Sequence, residues 1–111
     1  MTRVVIHAPS GRQKTSFAVI LARGVGPGYA IHQAGVMNLP PGSEVALLHK
    51  VKKQRAEGVL VKLVPTGRQA RRGVYRYDVH FKDAAVVPYK SEKLNRYGVA
   101  VYNTSSGLRY C

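Results

Sequence analysis

The sequence predicts a mainly β domain: a small bent sheet or β-barrel with one or two short helices, an α+β arrangement being the neighbouring possibility. Three observations carry this. Apolar, β-branched and aromatic runs recur at roughly ten-residue spacing, turn-forming residues separate them, and no heptad or internal repeat is present. The 111 residues suit one domain, expected over 1–102 with a flexible tail over 103–111. Hydrophobic residues make up 45% of the chain, enough for a core and unlike a disordered basic tail.

Each element follows from local chemistry. Arg3 to Ala8 is β-branched and ends at Pro9-Ser10-Gly11, a turn that predicts a hairpin with the next apolar run, Thr15 to Ala22. Gly24-Val25-Gly26-Pro27-Gly28 reads as a loop. Tyr29 to Val36 fits neither period cleanly. Leu39-Pro40-Pro41-Gly42-Ser43 is a turn, Glu44 to Val51 a strand, and Gly58 to Val64 the run with the highest β-propensity. Pro65 and Gly67 are expected to end that strand, leaving a basic loop before the strand Val74 to Phe81. Alternation there puts Tyr75, Tyr77, Val79 and Phe81 on one face and Arg76, Asp78 and His80 on the other. Ser91 to Asn95 is expected to form one helical turn after Pro88, and Val99 to Tyr102 a last strand. Closure into a barrel would remove exposed edges.

Charge narrows the partners. Lys and Arg number 18 against 5 Asp and Glu, a net charge of +13, which attracts polyanions and argues against a DNA mimic or a binder of basic peptides. The single cysteine permits no internal disulfide, and the longest apolar run, Phe17 to Ala22, is far from the ~20 residues of a membrane helix. A cytoplasmic protein without membrane partners is the expectation.

The cations cluster. Lys50, Lys52, Lys53, Arg55, Lys62, Arg68, Arg71, Arg72 and Arg76 lie within 27 residues, opposed only by Glu57. Lys50 to Arg55 and Arg68 to Arg72 read as two adjacent loops able to track a phosphate backbone. Tyr75-Arg76-Tyr77 has the composition of a base-stacking platform, and Tyr89 beside Pro88 is a second stacking candidate. The expected nucleic-acid-binding residues are therefore Lys50, Lys52, Lys53, Arg55, Arg68, Arg71, Arg72, Tyr75, Arg76 and Tyr89.

Catalytic and cofactor signals are thin. Ala8 to Thr15 resembles a phosphate-binding loop ending in Lys14-Thr15, but Gln13 stands where that loop needs glycine. The hairpin reading is preferred. His7, His32, His49 and His80 lack metal-ligand spacing, and no carboxylate pair is evident. No cofactor, metal or catalytic residue is expected.

One stretch carries a family pattern. Leu39-Pro40-Pro41-Gly42-Ser43-Glu44-Val45 forms a strand entry, Ala56-Glu57-Gly58-Val59 a second strand, Tyr75-Arg76-Tyr77-Asp78-Val79 a third, and Val87-Pro88-Tyr89 leads toward Leu94. Over about residues 39–94 this resembles the PUA-like superfamily, in particular its EVE-like β-barrels. That resemblance implies a mixed β-barrel that binds RNA or DNA, with a short helix after the proline.

The sequence thus points to a non-catalytic domain that binds RNA or DNA through a basic, tyrosine-containing face. The other readings are an adaptor or inhibitor docking on an acidic protein or ribonucleoprotein, and a nucleotide-binding enzyme using the degenerate loop.

Overall fold

The computed structural model describes residues 2–8, 16–95 and 98–103. Eight elements follow in chain order: β1 (Thr2–His7), α1 (Phe17–Arg23), β2 (Val25–His32), α2 (Gln33–Met37), β3 (Glu44–His49), β4 (Gln54–Arg71), β5 (Val74–Val87) and β6 (Val99–Asn103). Strand occupies 61% of the described residues, so the fold is mainly β rather than α+β. One mixed sheet of order β2-β5-β4-β3-β1-β6 curls into a half-barrel. Among the described residues only the β1–β3 pair runs parallel.

The inner face holds the main core. Val4 and Ile6 of β1 meet Tyr29 and Ile31 of β2, Leu60 of β4, Val79 and Phe81 of β5, and Val99 and Val101 of β6. Among the described residues the sheet does not close into a barrel, and β2 and β6 are its edges. Gly35 of α2 lies against Val101 of β6 and so bridges the gap at one end.

The apolar run after β1 is a helix, not the second arm of a hairpin. Ser16 caps α1 by accepting from the Val19 amide at 3.3 Å. Gly24 ends it at φ 70, where glycine carries no Cβ penalty, and returns its N–H to the Ile20 carbonyl. Phe17 and Ile20 point into the core with Leu21 beside them, a helical spacing. Residues 9–15, including Lys14 and Thr15, lie outside the described residues, as does the tail beyond Asn103.

Two more differences concern strand length. Val25 to Gly28 belongs to β2, with an irregularity between Gly26 and Tyr29. β4 does not stop at Pro65: it continues to Arg71 through register shifts, and only Arg72 and Gly73 turn into β5. Two extra residues are looped out between Pro65 and Gln69, which is how a strand absorbs a proline and a glycine.

Residues 88–95 have no helix. They cross the outer face of the β6-β1-β3 half, where Tyr89 and Leu94 join Tyr102 over Val5, Ala46, Leu48 and Ala100. Ion pairs fasten this crossing. Glu92 receives Arg55 Nη1 at 2.8 Å, Arg3 Nη1 at 3.3 Å and the Tyr102 hydroxyl. Arg3 also pairs with Glu44 at 2.9 Å and Arg55 with Glu57 at 2.8 Å. Burial alone would raise the Glu92 pKa. Hydrogen bonds from Tyr102 and Arg55 and the charges of Arg55 and Arg3 outweigh it and hold the carboxyl below its usual range.

Removing Glu92 leaves Arg55, 2% exposed, with one partially exposed carboxylate. Glu92→Ala is expected to cost about 3–5 kcal/mol in urea denaturation at pH 7. Because the folded pKa is depressed, the stabilisation is present above the ordinary value of 4.5 and lost as pH falls through the folded value. The variant should therefore show a shallower loss of stability on acidification than the parent.

Candidate nucleic-acid interface

Two of the residues expected to touch nucleic acid are withdrawn by the fold. The Arg55 guanidinium is 2% exposed; it grips Glu57 and Glu92 and donates to the Lys90 carbonyl at 3.0 Å. Tyr89 is half-buried against the outer apolar cluster. A guanidinium buried this way is not presented to a phosphate, and packing takes up part of the Tyr89 ring.

The other cations fall into two groups, not one. Lys50, Lys52 and Lys53 are exposed on the β3–β4 turn, where the Lys52 amide donates to His49 Nδ1 at 3.1 Å. Arg68, Arg71 and Arg72 are exposed at the far end of β4. The two basic segments are thus not adjacent: residues 54–67 of β4 separate them. None of these six side chains has an ion-pair partner among the described residues.

Tyr75-Arg76-Tyr77 is divided between faces. Tyr77 turns inward and packs on the core, and Tyr75 follows the same face but is 37% exposed at the sheet end. Arg76 is on the opposite face, half-buried, donating from Nη1 to the Gly28 carbonyl at 2.9 Å. The three residues do not make one stacking platform.

A depression of about 460 Å³ lies beside Arg76, lined by Pro27, Gly28, Thr66, Arg68, Arg76 and Asp78. Its walls come from two irregular strand segments flanking β5. Tyr77 pairs with Tyr29 on one side and Pro65 on the other, and both partner strands lose register next to it. Side chains repair the interrupted ladders. Asp78 Oδ1 accepts from the Gly28 amide at 2.9 Å, and the Thr66 hydroxyl donates to the Arg76 carbonyl at 3.0 Å while accepting from the Arg68 amide at 3.3 Å. Gly28 sits at φ 68, which a residue with Cβ rarely adopts. Sequence reasoning missed Thr66, Gly28 and Asp78. The signal available was Gly-Pro-Gly in one strand and Pro-Thr-Gly in the other, marks of bulged backbone.

A second depression, about 300 Å³, is lined by Arg3, Glu44, Glu57 and Asp83 among others. Three carboxylates around one arginine do not suit a polyanion. Among the described residues no three metal-ligating side chains converge, and no helix is long and apolar enough to cross a membrane.

His7 and His49 end the parallel pair β1 and β3, ring centroids 6.2 Å apart. His7 Nε2 is buried without a partner among the described residues. Burial, then the charges of His49 and Lys50, lower its pKa from 6.5.

No family model, curated protein or solved structure matches this chain.

The depressed His7 pKa has a sign. The unfolded chain binds that proton more readily, so its contribution is present above pH 6.5 and lost as pH falls through the folded value. Urea midpoints should decline from pH 7.5 to 5.5, and His7→Gln should flatten that decline.

Proposed function

We propose that this domain is a non-catalytic nucleic-acid-binding module. Its contact surface is the β4–β5 hairpin end, with Arg68, Arg71, Arg72, Tyr75 and Arg76. The Lys50, Lys52 and Lys53 turn forms a second, separate contact.

The observation that carries this reading is the distribution of acid. Only five acidic residues exist, and all three glutamates are held by Arg3 and Arg55 inside the network on the outer face. Among the described residues the exposed cations at both ends of β4 have no ion-pair partner, with Asp78 the one carboxylate lining the depression beside Arg68, and crowding them there costs self-repulsion that a polyanion relieves. Arginine suits the task because its planar fork can grip phosphate in a bidentate manner. The PUA-like pattern over residues 39–94 belongs to the same proposal, as does the cytoplasmic location. That pattern implies a mixed β-barrel with a short helix after Pro88; the sheet here is an open half-barrel and residues 88–95 carry no helix.

Affinity for a short RNA or DNA should fall linearly on a log–log plot against salt. The variant Arg68/Arg71/Arg72→Ala is expected to reduce that slope by about 2 to 3, since each phosphate contact contributes about 0.7 to 0.9. Lys50/Lys52/Lys53→Ala reports the second contact separately. An unchanged slope in the arginine variant removes the hairpin end from the interface. Absence of salt-dependent binding in the parent, with a protein partner retained after nuclease treatment, favours the acidic-partner reading instead.

A further inference from the structure

We infer that the depression between Pro27-Gly28 and Thr66-Arg68 is a subsite for an unpaired guanine nucleotide, with the Asp78 carboxylate reading the base and Arg68 holding a neighbouring phosphate. This rests on the nucleic-acid reading above and specifies one of its contacts.

The starting point is a misfit. A surface that only needs to attract phosphates gains from cations and loses from a carboxylate. Yet Asp78 lines the same depression as Arg68 and Arg76. A carboxylate in such a place suits a hydrogen-bond donor carried next to a phosphate, and in a polynucleotide the base edges supply donors.

Asp78 is fixed for that task. Its Oδ1 accepts the Gly28 amide at 2.9 Å, which restrains the carboxylate at one oxygen. An ionised carboxylate has about four acceptor sites, and Gly28 occupies one. Arg76 is anchored separately on the Gly28 carbonyl at 2.9 Å, so the wall beside Asp78 is braced at both the amide and the carbonyl of one residue. Arg68 rises from the bulge, exposed, with its backbone tied to Thr66 at 3.3 Å. Pro27 gives an exposed apolar surface at the rim. A volume of about 460 Å³ is within the range of small-ligand sites.

Base chemistry then selects. On its Watson–Crick edge guanine offers two adjacent donors, N1–H and the N2 amino group, which match the two oxygens of a carboxylate. Adenine and cytosine each place one amino donor beside an acceptor nitrogen, and uracil flanks one donor with two carbonyls. A carboxylate is repelled by those acceptors. The edge is open only in an unpaired strand, which excludes duplex as the ligand of this subsite.

The test uses the full chain and four single-stranded RNAs that differ only in one central base: guanine, hypoxanthine, adenine or uracil. Anisotropy at fixed salt should rank guanine tightest, roughly tenfold over adenine and uracil, with hypoxanthine between because it lacks the N2 amino group. Asp78→Asn keeps an oxygen for the Gly28 amide but replaces the other by a donor. It should abolish the guanine preference while leaving the salt slope unchanged. Arg68→Ala should weaken all four RNAs about equally. If the parent binds the four RNAs alike with a steep salt slope, the guanine subsite is overturned and the binding module stands. A guanine preference that survives Asp78→Asn overturns the subsite in the same way. If neither these RNAs nor single-stranded DNAs of the same sequences bind, both fall.

Discussion

Glu92 is the constraint on which the rest of the fold leans. The segment that carries it, residues 88–95, has no helix or strand of its own. Its backbone therefore supplies no ladder to hold it across the sheet. What holds it is Glu92, gripped by Arg3 of β1 and Arg55 of β4, with Tyr89 and Leu94 sealed against Val5, Ala46, Leu48 and Ala100. Once that segment is in place, β1 is covered on both faces, and Val4, Val5 and Ile6 have no exposed surface at all. A sheet with one solvated face would show alternation there; this half does not, because the crossing segment is a second layer.

The same network sorts the charge. Arg3 and Arg55 draw in every glutamate of the chain, so the acid is concentrated on one region of the outer face. Buried ion pairs of this kind seldom add much net stability over apolar substitutes, but breaking one is costly because it strands a charge. Their effect here is to fix where carboxylates are and, by exclusion, where they are not. β4 makes the contrast within a single strand: it begins with a buried, doubly paired Arg55 and ends with an exposed Arg71.

That contrast shows what can be read from sequence. Five of the six strands, the bent-sheet class and the shared face of Tyr77, Val79 and Phe81 follow from local apolar patterning and β-propensity, whereas β2 reads as a loop and an ambiguous run. Arg55 cannot be told from Lys53 in the same way, since its burial is decided by Glu92, 37 residues later. The helix α1 is legible: Ser16 and Gly24 bracket Phe17, Ile20 and Leu21 at helical spacing, and reading the run as a hairpin arm gives its apolar content precedence over its caps. Tyr89 resembles a loop aromatic beside a proline, and its actual partners lie on three different strands.

Proline and glycine mislead for a reason that bears on function. Pro65 and Gly67 signal a break, and the ladder is indeed broken there, but the strand resumes beyond it because β5 offers Tyr75 and Val74 as further partners. The irregularity between Gly26 and Tyr29 falls on the other side of β5 at the same level. Two interruptions flanking one strand free several backbone groups together, and unpaired backbone in a sheet must find partners elsewhere. Asp78, Arg76 and Thr66 provide them. Polar side chains that repair a broken ladder are necessarily anchored at one end, which makes them better placed than mobile surface residues to meet a ligand at the other. The segments that obscure the strands in the sequence are therefore the ones that build the depression.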